Sequence, residues 1–480
     1  MQDYCVTDTI AAISTPVGEG GIGIVRLSGT SALEIADRIF ASCDGKRPSE
    51  FKTYTTHYGF IVSPLARYPV NPPNRRTGKQ ANRQTDIIDE VILTVMRSPR
   101  SYTKEDIVEI NCHGGIIALR DVLDLVLGNG ARLAEPGEFT KRAFLNGRID
   151  LAQAEAVLDI IRAKTDSALR VSQEQLRGQL SNSINKIRET LLGILVVLEA
   201  NIDFPEEETG ATDLGKMRIQ LKEVNGKLKD MLEDSKRGRI FREGIHVVIC
   251  GRPNVGKSSL LNALLKQERS IVTAIPGTTR DTIEEIIDIK GIPVRIVDTA
   301  GILEPRDLVE KKAVERSKKH IAQADIAIIL FDGSRKLSKE DEVIIKKLKE
   351  KQSIAIINKM DLKQKVERAR IARRFNHVID ICAKKARNIG LLEEKIAELV
   401  YKGKVFGPEP VMVSNLRHIS SIREAEILIA QAAGSLDNKL SPEFIAQDIK
   451  DALICLDGLL GKKFSEDLLD KIFSEFCIGK

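Results

Sequence analysis

The chain contains no tryptophan, and only 4% of its residues are aromatic. It shows no basic helix with interleaved rings, the pattern on which single-stranded bases stack. Its seven cysteines are an odd number and form no C-x-x-C pair, which argues against a disulfide framework or a zinc site. No apolar run approaches the roughly 20 residues that cross a bilayer. Met1 to Ile13 carry Asp3 and Asp8 and lack the order of a secretory signal. Together these absences predict a cytoplasmic protein. What is present is ample: 480 residues, 42% hydrophobic and 30% charged, enough for two or three soluble domains. The formal charge of +6 permits contact with nucleic acid without demanding it.

Residues 1–148 read as mixed α/β. Ile22 to Leu27 and Ile87 to Val95 alternate as strands, and Ala32 to Phe40 and Ile116 to Leu127 as helices. Residues 66–86, rich in Pro, Asn, Arg, Gln and Gly, read as a surface insertion. Residues 149–240 are helical. Leu151, Ala154, Val157, Leu158 and Ile161 share one face, and the pattern resumes through Leu180, Ile184, Ile187, Leu191 and Leu195. Another helix is expected from Leu214 to Lys236. Residues 241–402 alternate strand, loop and helix, the signature of a parallel sheet covered by helices. Residues 403–480 are helical again. The predicted fold class is therefore α/β plus all-α, with a P-loop α/β domain inserted into a discontinuous helical one.

The inserted domain carries the clearest chemistry. Strand Ile245–Cys250 leads into Gly251-Arg252-Pro253-Asn254-Val255-Gly256-Lys257-Ser258, and a helix beginning Ser258-Ser259 follows. This is G-x-x-x-x-G-K-S in its required strand–loop–helix context. The glycines let backbone N–H groups curl around phosphates at a helix N-terminus. Lys257 is expected to reach the β- and γ-phosphates and Ser258 to ligate Mg²⁺. A second strand delivers Asp298-Thr299-Ala300-Gly301, with Asp298 near Mg²⁺ and the Gly301 amide against the γ-phosphate. The segment Thr273-Ala274-Ile275-Pro276-Gly277-Thr278-Thr279 resembles a first switch loop, and that resemblance selects Thr279 as the other Mg²⁺ ligand. Asn358-Lys359-Met360-Asp361 follows a further strand. A carboxylate such as Asp361 can accept both guanine N–H donors, a pair that adenine lacks. Cys382-Ala383-Lys384 occupies the place of a Ser-Ala-Lys loop. The position after D-x-x-G, where many small GTPases carry a water-orienting glutamine, is Ile302. Its aliphatic side chain cannot orient water. Arg280 and Arg306 are available as charge donors but unassigned.

The whole chain, apart from residues 66–86, resembles the MnmE (TrmE) family of tRNA-modification GTPases. The resemblance rests on Thr9–Gly29, Ala134–Ala156, the GTPase core with Gly277–Asp281, and Phe476-Cys477-Ile478-Gly479-Lys480. It implies that K⁺ replaces an arginine finger, held by Asn254, Thr273, Ile275 and Thr278. Glu310, twelve residues after Asp298, would orient water. The N-terminal domain would dimerise and bind a tetrahydrofolate derivative, 5-formyl- or methylene-tetrahydrofolate, through Arg26, Glu109, Arg148 and Lys480. Arg148 stands where the family often has lysine, and Thr103-Lys104-Glu105 replaces the usual Thr-Gly-Glu. Cys477 would be catalytic, whereas chemistry alone reads it either as a reactive thiolate or as a small buried apolar group. The glycine-rich stretch Gly18 to Gly23 reads as a ligand loop or an ordinary turn, and His113 as structural. The implied partners are GTP/GDP, tRNA, a second copy of the chain and an FAD-containing protein resembling MnmG, in a heterotetramer or larger. The implied chemistry places an aminomethyl or carboxymethylaminomethyl group on carbon five of a tRNA wobble uridine. A ribosome-assembly GTPase is disfavoured because no KH-like RNA-binding region follows the core. A pure regulatory switch is the remaining alternative.

Overall fold

The computed structural model describes residues 8–63, 87–203, 211–267, 285–298, 322–348, 351–401 and 413–480. The insertion expected at 66–86 lies outside them. The chain divides into two compact units, Met1–Leu158 with Asp457–Lys480, and Asp159–Leu456. The last 24 residues thus cluster with the N-terminal unit.

In the first unit, a seven-stranded sheet is built from β1 (Ile10–Ile13), β2 (Gly23–Ser28), β3 (Phe40–Ser42), β4 (Thr55–Val62), β5 (Ile87–Met96), β6 (Ile107–Cys112) and β7 (Arg132–Leu133). Its order is β3-β4-β5-β6-β2-β1-β7. All pairs are antiparallel except β1 with β7. Side chains alternate across a strand, and this assigns the two faces. Val25 and Leu27 of β2, with Val108 and Ile110 of β6, join one core under helices α1 (Ala32–Ile39) and α2 (Ile116–Gly128). Arg26 and Glu109 alternate with those core residues and stand opposite each other in register. With Arg26 go Ile10 and Ala12 of β1, which form a second, smaller cluster with Ala134 and Phe139. Phe139 belongs to α3 (Glu138–Leu145). The following helix α4 (Leu151–Arg162) and the C-terminal helix Glu466–Phe473 bury Leu151, Ala154, Leu158, Leu469, Phe473 and Phe476 together with Phe144.

The second unit combines helices with the inserted sheet. Helix α5 spans Asp166–Leu176, α6 Gln179–Asp203 and α7 Ala211–Glu243. In α6 the buried positions Leu180, Ile184, Ile187, Leu191, Ile194 and Leu198 recur every three or four residues. One stripe of the helix is therefore covered. Helix α7 buries Met217, Leu221, Val224 and Leu228, and helix Leu416–Asp437 packs along it. The segment leading into that helix also passes close to α7, and a Cβ on Gly238 would meet the Val413 oxygen at 2.5 Å.

The inserted sheet comprises β8 (Ile245–Gly251), β9 (Glu285–Ile289), β10 (Ile292–Asp298), β11 (Ile326–Asp332), β12 (Ser353–Asn358) and β13 (Val378–Asp380), ordered β13-β12-β11-β8-β10-β9. Five strands run parallel as expected, and β9 is antiparallel to β10. Only Lys290 and Gly291 join these two strands, both at positive φ (51° and 84°). A two-residue link of that kind makes a hairpin and is far too short for a crossover helix.

Candidate functional sites

The central strands of the inserted sheet, β8 and β11, are buried from end to end except at His246. Their carboxyl ends deliver the loops that carry the nucleotide motifs, the edge at which open α/β sheets bind ligands. After β8 the chain turns through Asn254 (φ 63°) and Gly256 (φ 105°) into α8, Lys257–Gln267. Val255 is buried beneath the loop, while Asn254, Ser258 and Ser259 are exposed. The Lys257 Nζ donates to the Gly251 and Arg252 oxygens at 3.0 Å each, so it lies along the loop it serves.

The guanine-type motif is tied directly to this loop. Asn358, at the end of β12, donates from Nδ2 to the Val255 oxygen at 2.8 Å and accepts from the Ala383 N–H at 3.0 Å. One buried amide thereby locks the phosphate loop to the Cys382-Ala383-Lys384 loop. A Cβ on Gly256 would meet Asn358 Nδ2 at 2.3 Å, so glycine is required there for space as well as for φ. Lys359 (φ 66°) reaches across, donating to the Asn254 oxygen at 2.8 Å and to Asp332 Oδ2 at 2.7 Å. Burial pushes the Asp332 carboxyl up, but hydrogen bonds from Lys359 and Ser334 outweigh it and hold the group below its usual range. Asp332, at the end of β11, was not singled out from sequence. Its position at a strand end, opposite Asn358 in register, is the signal that marks it.

Asp361 is exposed. A hydrogen bond from the Cys382 thiol holds its carboxyl below the usual range, and Lys385 and Lys384 act in the same direction. An ionised acceptor-only carboxylate is the form that can take two N–H donors. Asp298 ends β10, opposite Ile249 of β8. Thr273, Ala274, Ile275, Pro276, Gly277, Thr278, Thr279, Thr299, Ala300, Gly301 and Glu310 lie outside the described residues. So do three of the four expected K⁺ ligands, with Asn254 the exception.

The second candidate site lies on the β1–β2–β6 face of the N-terminal unit. Arg26 Nη2 is 2.7 Å from Glu109 Oε1, and its guanidinium lies 5.7 Å over the Phe139 ring. Its Nη1 also donates to the Gly479 oxygen at 3.5 Å. The chain's end is thus folded back onto a residue more than 450 positions earlier. Lys480 is engaged too: its main-chain oxygen accepts from the Phe139 N–H at 3.1 Å. Arg148 lies 4.6 Å over the Tyr102 ring, and Tyr102 packs against the cluster containing Phe139. Arg26 and Glu109 are paired, the Lys480 main chain is held at Phe139 nearby, and Arg148 is one aromatic layer away. Cys477 is exposed, which removes its reading as a buried apolar group.

Beneath this face lies a charge network that the sequence did not announce. Arg142 is only 1% exposed, yet it donates to Asp8 (2.7 Å), Glu105 (3.2 Å) and Glu138 (2.9 Å). Arg132 adds bonds to Asp8 and Glu138. Burial pushes the Glu138 carboxyl up, but the Arg132, Glu135 amide and Arg142 bonds outweigh it and hold the group low. The Thr103-Lys104-Glu105 departure is accommodated locally. Lys104 adopts φ 60°, a conformation natural to glycine, and its Nζ donates to the Gly147 oxygen at 3.0 Å.

Among the described residues no helix is long and apolar enough to cross a membrane. Two family models match the chain: "GTP-binding protein TrmE N-terminus" over residues 9–148, and "MnmE helical domain" over 151–477. The chain is 46% identical over 477 residues to the tRNA modification GTPase MnmE of Clostridioides difficile, covering 99% of this chain and 100% of that one. It is 44% identical to the protein of the same name from Geobacillus kaustophilus, covering 98% and 99% respectively.

Proposed function

This chain belongs to the MnmE (TrmE) family of tRNA modification GTPases, and from that premise we propose that its two sites divide the work. The enzyme is a GTPase. Its nucleotide site lies in the Asp159–Leu456 unit, where the loop amides and Lys257 face the phosphates, Asp361 takes the guanine edge, and Asn358 fixes one loop against the other. Ser258 and Thr279 would hold Mg²⁺, which offsets phosphate charge when bound. Ser258 suits that role by being exposed at the first turn of α8. Asn254 with Thr273, Ile275 and Thr278 would hold K⁺, a cation able to stabilise charge developing in phosphoryl transfer. Glu310 would orient the water that Ile302 cannot.

The N-terminal unit would bind the tetrahydrofolate derivative. Arg26, Arg148 and Lys480 would supply positive charge for its carboxylates, and the part-exposed Tyr102 would supply ring surface. The observation that carries this assignment is the return of the C-terminal tail to the Arg26–Glu109 pair. It supports a reading in which Cys477 and the one-carbon source share this unit. Working as a cytoplasmic homodimer with an FAD-containing partner, the enzyme would modify carbon five of the wobble uridine. GTP hydrolysis would drive a conformational cycle and would not be the modification chemistry itself.

GTP hydrolysis by the isolated protein in KCl and in NaCl at equal ionic strength tests the cation role. Faster turnover in KCl, with tighter dimer association in GDP–aluminium fluoride, is expected. Equal rates in the two salts would remove the potassium mechanism and favour a plain regulatory switch.

A further inference from the structure

Helix α3 starts without a side-chain cap. Its N-cap residue is Gly137, at φ 69°, which has no side-chain oxygen to offer. The first four N–H groups of a helix have no partner within it. Here the C-terminal tail supplies acceptors: Gly137 N–H donates to the Cys477 oxygen at 3.4 Å and Phe139 N–H to the Lys480 oxygen at 3.1 Å. The turn that aims these donors is itself fixed. Glu138 Oε2 accepts from the Glu135 N–H at 2.8 Å, and Arg142 and Arg132 hold the same carboxylate at 2.9 and 2.6 Å.

The tail is anchored on both sides of the thiol. Phe473 and Phe476 are buried with Phe144 and Leu151. Gly479, at φ 91°, runs so close to β1 that a Cβ would meet the Ile13 oxygen at 2.3 Å. Gly137 is also close-packed, since a Cβ there would meet the Phe473 oxygen at 2.8 Å. Between these anchors Cys477 and Ile478 are exposed.

We propose that Gly137, Glu138 and Gly479 are positioning residues that clamp the tail to the N-terminus of α3 and so hold the Cys477 thiol in place. This rests on the reading of Cys477 as a working group. It gives the Glu135-Pro136-Gly137-Glu138 segment a role in the modification reaction and none in GTP turnover.

The test is Gly479→Ala in the full chain, with Gly137→Ala as a second variant and Glu138→Gln as a third that keeps side-chain size. Hydrogen exchange of the peptide spanning Gly137 and Phe139 is read alongside wobble-uridine modification in cells whose only copy is the variant. The expected result is exchange faster by roughly tenfold, the scale of one lost hydrogen bond. Modification should fall at least as far, while GTP hydrolysis in the other unit holds. Unchanged exchange in both glycine variants would overturn the clamp. So would lost protection with undiminished modification. Cys477→Ser separates the two ideas: protection retained with modification intact would sink the thiol reading and leave the tail's anchoring as a structural fact only.

Discussion

The nucleotide site and the N-terminal face hold their polar groups still by opposite means. In the first, Asn254 to Ser258 are consecutive, and their geometry comes from backbone conformation at Asn254 and Gly256, with one amide, Asn358, as the cross-link. In the second, the candidate residues come from positions 26, 109, 148 and 480, and a nearly fully buried arginine organises the ground beneath them. A site made of backbone tolerates change around it and fails when a glycine or the cross-link is lost. A site assembled from distant side chains depends on buried ion pairs, whose partners become costly once left alone.

That contrast is sharpest at Arg142. Arg142→Met removes the guanidinium and leaves Asp8, Glu105 and Glu138 without it, which is expected to cost about 3–5 kcal/mol. Calorimetry of the full chain should show the loss in a transition that GDP does not raise, because ligand binding stabilises only the unit that binds it. The same transition should be acid-sensitive. Asp8 and Glu138 have folded values below their unfolded ones. Their contribution is therefore complete above the unfolded values and drains as pH falls through the lower folded ones, below about pH 4. If the GDP-responsive transition is the one weakened, the two regions are not organised as described.

Asn358→Ala tests the other side. It strands the Val255 oxygen and the Ala383 N–H in buried surroundings, at about 1–3 kcal/mol for each unsatisfied group. GDP affinity measured by titration calorimetry should fall roughly 10- to 100-fold. Affinity within twofold of the parent would show that the loops hold without their cross-link. The smallest effect is expected at Lys104→Gly. Relief of the left-handed conformation, about 1 kcal/mol, is offset by loss of the Lys104–Gly147 bond. The net change in urea midpoint should be slight and stabilising. A clear loss would mean that the lysine contact outweighs the backbone cost.

The sequence made the first site readable because its motifs are contiguous and sit where strand passes into helix. The strand expected at Ile87 to Val95 and the helix at Ile116 to Leu127 also stand within a residue of β5 and α2. Less was legible where long-range contact decides. Hydrophobic periodicity gave no sign that Asp457–Lys480 would cluster with the N-terminal unit. It also gave none that β9 would run antiparallel, which follows from a two-residue link. Nothing in the sequence set Arg142 apart, and only the fold shows it enclosed by carboxylates. Arg26, Glu109, Arg148 and Lys480 were found by resemblance. Alternation along β2 and β6 then explains why the first two share a face.

Titration of 5-formyl-tetrahydrofolate and of GDP into Arg26→Ala and Lys257→Ala tests the division of work most directly. The account expects Arg26→Ala to lose at least about tenfold in folate affinity, the scale of a charged hydrogen bond, with GDP binding unchanged, and Lys257→Ala to show the reverse. Folate binding by Arg26→Ala at the parent's affinity would contradict the assignment of the N-terminal face.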